Sequence, residues 1–315
     1  MNDWIDIVNR EYLSDFILAG GGSVKFVVGT AQESAEVSAA LDAAAAERGF
    51  VRVDIDAAHT KLHRIDQVFF EAARQIEWAG LAAAFVAEGL RAAGWSAHKT
   101  DAGFDLAAIA AQNGVVEADV RAEVKKWLLA LYGDYAMSQE FRLAMIQLCR
   151  AQLVGFDHSA IPVVFWLRGE LGRIAELKAA KIFQKIGRHN ARLMLQSLTH
   201  WLRRNGQPGL LLTIDIARCL ENVKRTERGE GFYYSPSALT EVYEMLRQLI
   251  DGSSELKGTF AAVFAPPALL ADEKRGVDRY QALKMRIFDD VRNRGIQNLL
   301  APLVRLGELR LQEAA

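Results

Sequence analysis

The residues whose types and spacing are most typical of a binding or catalytic site lie between a β-prone run and an alanine-rich helical pattern. Residues 29–36 have the position and length of the phosphate-binding pattern G-x-x-x-x-G-K-[ST], whose lysine neutralises phosphates and whose hydroxyl holds magnesium. Gly29 matches the first glycine, but Ser34 stands at the second glycine, Ala35 at the lysine and Glu36 at the hydroxyl. The sequence therefore predicts a degenerate phosphate loop that serves as a strand-to-helix connector.

A second interpretation keeps a phosphate site in this loop with a non-standard cation. Lys25, Lys61 or Arg218 could supply the positive charge that the pattern normally takes from its lysine. Glu33 and Glu36 oppose this interpretation, because carboxylates at a helix start suit the macrodipole but repel a triphosphate. We therefore prefer the connector and keep the non-standard site as the alternative.

Asp215 ends the apolar run 209–215, where a nucleotide-binding protein places an aspartate that holds magnesium. An acid that polarises the attacking water should follow closely, but Ile216, Ala217 and Arg218 come next. One carboxylate seldom holds magnesium without phosphate oxygens. We therefore predict no catalytic residue, no metal site and no cofactor; ATP with magnesium belongs to the alternative interpretation.

The stretch from Lys178 to Arg204 contains no acidic residue, although the whole chain has 38 Lys and Arg against 39 Asp and Glu. Cations on such a surface neutralise phosphates, and Trp201 could stack on a base. The alternative is a solvated helix face whose apolar residues, Trp201 included, are core. The candidate nucleic-acid contacts are Lys181, Lys185, Arg188, Arg192, Arg203 and Arg204.

Arg275 and Arg279 follow the last predicted core strand. In assemblies of nucleotide-binding subunits, arginines placed there can reach the nucleotide of a neighbouring subunit. Acidic residues are interspersed among the cations of this segment, so a mixed-charge surface is the preferred interpretation.

Hydrophobic patterns predict the elements that position these residues. Apolar runs at 24–29, 50–56, 209–215 and 259–265 are typical of strands, and their alternation with helical patterns implies parallel pairing. No convincing strand pattern occurs from 61 to 204. The predicted fold is α/β: residues 1–60 and 205–315 form a parallel-sheet core, and residues 61–204 form an all-helical insertion domain.

Composition narrows the class of protein. The 315 residues are 51% hydrophobic with a net charge of -1, which favours a globular chain with a large core and excludes a disordered one. Cys149 and Cys219 are too few for a disulfide scaffold or a four-ligand zinc site. No uncharged apolar run reaches about 18 residues, so we expect a soluble cytoplasmic protein that does not bind membranes.

Several of these segments resemble the P-loop ATP-binding proteins associated with BREX phage-exclusion loci and related bacterial defence clusters. The resemblance implies an AAA+-like P-loop NTPase fold and a role beside DNA-handling enzymes. Members usually carry an intact phosphate loop and an acidic pair after the later strand, and this chain departs from both patterns. The segments that carry the resemblance are 11–17, 25–29, 188–192, 208–215 and 246–251.

Together these features predict a non-hydrolysing ATPase-like scaffold or regulatory subunit of an anti-phage defence complex. It would act through protein contacts with a helicase or an intact ATPase, through DNA contacts, and in an oligomer. The alternative is a functional ATP-binding subunit with a non-standard phosphate loop.

Overall fold

The computed structural model describes residues 2–154, 160–222, 230–288 and 298–307. The chain divides into two compact units, Met1–Ala72 with Leu202–Ala315, and Ala73–Trp201. That residues 61–204 fold as an independent insertion domain stays a prediction.

The first unit contains a five-stranded sheet in which all strands run parallel, in the order β2-β3-β4-β1-β5. Four strands coincide with the predicted runs, so the predicted α/β class with a parallel sheet is confirmed. The fifth was missed because its three residues are too short to give a periodic signal. The strands are β1 (Gly22–Val28), β2 (Val51–Asp56), β3 (Leu210–Asp215), β4 (Thr259–Ala265) and β5 (Leu303–Arg305).

Burial along the strands explains their sequence patterns. Every residue of β4 is buried, and β3 is buried up to its last residue, as expected of strands covered on both faces. β2 lies at an edge and alternates, with Val53 and Ile55 buried and its even-numbered residues exposed. Because side chains alternate along a strand, Arg52, Asp54 and Asp56 share one face of the sheet.

The described residues form α-helices in both units of the chain. In chain order they are α1 (Asn2–Ile7), α2 (Ala31–Arg48), α3 (Ile65–Arg74), α4 (Trp78–Ala92), α5 (Leu106–Asn113), α6 (Glu117–Tyr132), α7 (Gln139–Arg150), α8 (Ala160–Leu167), α9 (Ala191–Arg204), α10 (Ala217–Leu220), α11 (Pro236–Asp251), α12 (Ala268–Ala271) and α13 (Gln281–Ile287).

The amino-terminal helical segment is wider than an ordinary α-helix in its second half. After α1 the chain forms a π-helical segment, Val8–Phe16, in which Ile17 N–H donates to the carbonyl oxygen of Tyr12 at 2.9 Å. The buried residues Trp4, Val8, Leu13 and Ile17 are spaced four, five and four apart. The extra residue of a π-turn keeps Leu13 on the buried side, where an uninterrupted α-helix would place Tyr12.

One hydrophobic core joins this segment and α2 to a face of the sheet. Trp4 and Leu13 pack there with Leu41 of α2 against Phe260 and Val27, and all five side chains are fully or almost fully buried. The same face carries the candidate site at the carboxyl ends of its strands, so this core sets the position of α2 over those strand ends.

The second unit is helical in its described residues. Its core contains edge-to-face contacts between Trp78 and Phe141, with ring centroids 6.1 Å apart, and a tilted contact between Phe85 and Trp201 at 5.1 Å. Within the described ranges, no helix of either unit is both long enough and apolar enough to cross a bilayer.

Candidate functional site

A cleft of about 470 Å³ lies at the carboxyl ends of β1 to β4, within the first unit. The register aligns Val28 with Ala265 and Asp56 with Asp215, so four strands end at one level. This edge is where open parallel sheets bind ligands, and the volume falls in the range of small-molecule sites. The sheet therefore places the candidate residues Gly29, Ser34, Ala35 and Asp215 in the wall of one cavity.

The connection from β1 to α2 consists of Gly29 and Thr30 alone, because α2 begins at Ala31. Thr30 caps the helix: its hydroxyl oxygen accepts from Glu33 N–H at 3.3 Å, and the Glu33 carboxylate accepts from Thr30 N–H at 2.8 Å. This reciprocal pair is a capping box, which satisfies donors that a helix start otherwise leaves open. Ser34, Ala35 and Glu36 consequently lie in regular helix rather than in a loop.

The Glu33 carboxylate is buried where the helix amides begin. Only 8% of Glu33 is exposed, and the same carboxylate oxygen also accepts from the Thr30 hydroxyl at 3.0 Å. A helix amino terminus attracts anions through its open N–H groups and its dipole. Here that anion is the carboxylate of Glu33, the third residue of α2.

Gly29 is required by close packing. A Cβ atom built on Gly29 would lie 2.8 Å from Cδ1 of Leu306 and 3.1 Å from a carboxylate oxygen of Glu33. Both distances are shorter than ordinary van der Waals contact. The glycine therefore makes room for Leu306 and for the capping carboxylate at the end of β1.

Three aspartates line the opposite wall. Asp54 accepts a hydrogen bond from the Thr213 hydroxyl at 2.5 Å, while Asp56 and Asp215 accept from the backbone N–H groups of Ala58 and Ala217, each at 2.7 Å. Burial raises the pKa of Asp215, and the negative charge of Asp56 adds to that rise, although the bond from Ala217 opposes it. Asp56 and Asp215 are register partners on neighbouring strands, which lie about 4.8 Å apart, so the Asp56 charge acts on Asp215 at short range.

Arg52 is the cation among the described residues that line this cleft, and the sequence analysis missed it. Its guanidinium forms ion pairs at 2.8 Å with Asp42 of α2 and at 2.8 Å with Asp54. The alternation of β2 was the signal that could have found it, since Arg52, Asp54 and Asp56 share a face. With three aspartates against one arginine, these lining residues make the cleft acidic.

None of the three cations suggested as a substitute lysine is among the described residues that line the cleft. Lys25 lies four residues before Gly29 in β1, about 13 Å away at about 3.3 Å per residue. Lys61 lies over the ring of Phe232 at 5.0 Å, and Arg218 donates to the carbonyl oxygen of Phe232 at 3.0 Å.

Lys25 lines a second cavity, of about 510 Å³, at the amino ends of the strands. Its ammonium donates to the carbonyl oxygens of Leu300 at 2.5 Å and Ala301 at 3.2 Å, and lies 4.6 Å from the centre of the Tyr12 ring. Burial lowers the pKa of Lys25 to about 8. The side chain therefore ties the residues before β5 to β1 and serves the opposite edge of the sheet.

The six Lys and Arg residues predicted to contact nucleic acid are divided between the two units. In the second unit, Lys181, Lys185 and Arg188 are exposed and Arg192 is half-buried. In the first, Arg204 is exposed and Arg203 is half-buried, with its guanidinium donating to the Leu18 carbonyl at 3.0 Å. The prediction that Trp201 could stack on a base is wrong, because its side chain is fully buried in the core.

The suggestion that Arg275 reaches a neighbouring subunit is also wrong. Only 6% of Arg275 is exposed, and its guanidinium donates to the carbonyl oxygens of Cys219 at 2.6 Å and Tyr234 at 2.7 Å. Arg275 thus holds segments of the first unit together. Arg279 is exposed and donates to the carbonyl oxygen of Lys274 at 2.8 Å.

One family model matches this chain. The family model for the BREX system ATP-binding protein BrxC/D matches residues 10–315, which is nearly the whole chain. The chain belongs to the BrxC/D family. No curated protein matches it, and no solved structure does. As a BrxC/D family member it is a component of a phage-defence system, and it has other defence-system proteins as partners.

The BrxC/D description implies ATP, and the residues of the cleft fit a triphosphate poorly. The amides of Thr30 and Glu33 are engaged in the capping box, no lysine is among the lining residues described, and the carboxylates outnumber the arginine. Among the described residues, no cluster of three or more His, Cys, Asp and Glu side chains is arranged to hold a metal ion.

Proposed function

We propose that this chain is a non-hydrolysing, ATPase-like scaffold or regulatory subunit of a BREX phage-defence complex. Its core would be an AAA+-like P-loop NTPase domain, a proposal supported by the strand order. β1 is flanked by β4 on one side and β5 on the other, while β2 and β3 lie beyond β4. This reversal in strand order creates a crevice above β1, the usual ligand position in an open parallel sheet.

The capping box of Thr30 and Glu33 carries the proposal. A bound phosphate would have to compete with a carboxylate that already accepts from Thr30 N–H at 2.8 Å and is buried against Gly29. The Glu33 carboxylate is part of the chain, whereas a phosphate has to be bound from solution and loses translational and rotational entropy when it binds. The Thr30 and Glu33 amides therefore have their hydrogen-bond partners without a nucleotide.

The acidic wall of the cleft supports the same proposal. Asp54, Asp56 and Asp215 lie on the strands opposite α2, and Arg52 is already paired with two carboxylates. Catalysis of phosphoryl transfer depends on positive charge placed around the transferred group. A wall of carboxylates with a neutralised arginine supplies little of it.

A titration with Mg-ATP tests the proposal. We expect neither heat in calorimetry nor an increase in Tm at sub-millimolar Mg-ATP, and no phosphate release above the buffer rate. A ligand stabilises the folded state only if it binds that state, so a shift in Tm of several degrees would reveal binding. Stabilisation that disappears in Asp215→Ala would refute the scaffold and establish the alternative.

That alternative is a functional ATP-binding subunit with a non-standard phosphate loop. Its support is the position of the 470 Å³ cleft at the carboxyl edge, with Asp215 in its wall. Glu33→Gln separates the two candidates, because glutamine keeps an oxygen that can accept from Thr30 N–H but removes the negative charge. Under the scaffold proposal, Glu33→Gln gains weak anion binding that the wild type lacks.

The partners remain part of the proposal. We expect a helicase or an intact ATPase as the protein partner, an oligomeric assembly, and DNA contacts through the exposed cations of residues 181–204. Reversal of Arg188 and Arg192 to Glu, away from the Arg203 contact with Leu18, should abolish a gel shift with DNA. An unchanged shift in that variant would remove DNA from the proposed function.

A further inference from the structure

Phe183 projects from the acid-free stretch of the second unit. Its side chain is 67% exposed, and Lys181 and Lys185 on either side of it are exposed as well. Lys178, one turn earlier, is also exposed. We call Lys178, Lys181, Phe183 and Lys185 the basic platform.

The backbone under the platform is fixed by a Schellman motif. The short 3-10 helix Ile174–Leu177 ends in a turn where Lys181 N–H donates to the Lys178 carbonyl at 3.0 Å and Ile182 N–H donates to the Leu177 carbonyl at 3.2 Å. A Schellman motif is frequently accompanied by a hydrophobic contact between the two residues at these positions, which here are Leu177 and Ile182, and both are buried. The turn thus directs Lys181 and Phe183 outward on either side of a buried anchor.

Lys181 occupies a backbone position that favours glycine. Its φ is +60°, which distinguishes it among the non-glycine residues of the described ranges. In a Schellman motif this left-handed position is usually glycine, because a Cβ atom there is strained. Residues held in sparsely populated backbone conformations cluster at binding and active sites, which draws attention to the Lys181 side chain.

The segment after Phe183 is anchored too. Trp166 Nε1 donates to the carbonyl oxygen of Gln184 at 3.1 Å, and Gly187 N–H donates to the side-chain oxygen of Asn190 at 2.8 Å. Ile186 is buried between these two contacts. The platform is therefore preorganised on both sides of the exposed phenylalanine, which lowers the entropy cost of binding.

We propose that the basic platform binds single-stranded nucleic acid, with one base stacked on Phe183 and neighbouring phosphates paired with Lys178, Lys181 and Lys185. This inference rests on the proposed nucleic-acid contact and names its form. An exposed aromatic ring flanked by cations is the arrangement that recognises an unpaired base beside its backbone. In a duplex the bases are already stacked on one another, so Phe183 would have no face to contact.

Fluorescence anisotropy with labelled single-stranded oligonucleotides, one of deoxythymidine and one of uridine, tests the stacking contact. Phe183→Ala should weaken binding about 5- to 150-fold, the equivalent of about 1–3 kcal/mol for one stacked base. Phe183→Tyr should retain affinity because it keeps the ring. Leu129→Ala, which removes another exposed apolar side chain of the second unit, is the matched control and should leave binding unchanged.

Lys181→Gly separates binding from folding. Glycine suits a φ of +60°, so this variant should unfold at the same temperature as the wild type or higher. At the same time it should weaken binding and reduce the magnitude of the slope of log K against log salt by about 0.7, the value for one phosphate contact in a single strand. A variant that is more stable but binds less tightly could not result from misfolding.

The outcomes distinguish this inference from the wider proposal. If charge reversal of Arg188 and Arg192 weakens binding but Phe183→Ala does not, DNA contact stands and the stacking inference is overturned. Equal affinity of the wild type for single strands and for a duplex of the same sequence would also overturn it. Unchanged binding in all platform variants would assign Phe183 to a protein contact instead.

Discussion

Lys25 gives a prediction whose magnitude follows from the structure. The ammonium lies in the interior of the first unit, 4% exposed, with two backbone carbonyls and the Tyr12 ring as partners. Burial lowers its pKa to about 8, against 10.5 in the unfolded chain. Within the described ranges no carboxylate forms an ion pair with this amine, so its charge is stabilised by two carbonyl dipoles and a ring.

The pH dependence follows from the difference between the two pKa values. Between pH 8 and 10.5 the unfolded chain holds a proton that the folded chain has released, so the free energy of unfolding rises with pH. The stabilisation is fully present above the unfolded pKa and is lost as the pH falls through about 8. Between pH 7 and 10 the gain from this one group should be about 2 to 3 kcal/mol.

Urea unfolding at pH 7, 8, 9 and 10 measures this gain in the wild type and in Lys25→Met. Methionine has a similar length without the titrating group, so the difference between the two proteins isolates Lys25 from the other titrating side chains. Burial and the charge of Glu11 raise the pKa of Tyr12, so tyrosine ionisation in the unfolded chain also changes stability near pH 10. This contribution is common to the two proteins and cancels in their difference. Matching m-values are needed for the comparison.

The reasoning would be refuted by parallel stability curves for the two proteins. Parallel curves would mean that Lys25 stays charged when folded, with a partner that neutralises it.

Two further predictions concern residues around the candidate site. Thr30→Ala removes the helix cap and should lower the free energy of unfolding by about 1 kcal/mol, whereas Thr30→Ser keeps the capping hydroxyl and should keep the stability of the wild type. Chemical denaturation measures both variants, and equal losses of stability would contradict the capping box. Arg275→Ala should cost about 2–4 kcal/mol because the carbonyls of Cys219 and Tyr234 lose their donors, while Arg279→Ala should change stability by less than about 0.5 kcal/mol. If instead Arg275→Ala folds normally and lowers the ATPase rate of a partner, the arginine acts between subunits.

The sheet could be predicted from sequence because its strands are apolar almost throughout. Strands covered by helices on both faces leave continuous hydrophobic runs, and the alternation of β2 marks an edge. Asp215 could likewise be placed, since it follows directly after such a run. β5 could not, because Leu303–Arg305 pair with β1 through tertiary contacts rather than through a local pattern.

The start of α2 was misjudged for a different reason. Aligning residues 29–36 with a phosphate pattern treated them as a loop, although Thr30 and Glu33 have the spacing of a capping box. The helix therefore begins at Ala31, and Ser34, Ala35 and Glu36 belong to its first two turns. The orientations of Lys25 and Trp201 depend on long-range contacts that no local pattern records. Lys25 donates to the carbonyl oxygens of Leu300 and Ala301, and Trp201 packs against Phe85.

The capping box at this helix start engages the amides of Thr30 and Glu33, which are donors that a phosphate loop would turn toward its anion. In a phosphate loop, the glycine-rich backbone between strand and helix turns its N–H groups inward around an anion. Here the helix begins two residues after β1, and a side chain fixed by covalent connectivity provides the anion. The Thr30 and Glu33 amides have their partners without a ligand, so the stability of this sheet edge should be independent of nucleotide. Glu33→Gln is therefore the decisive change: if nucleotide binding appears when that carboxylate loses its charge, the carboxylate was what excluded it.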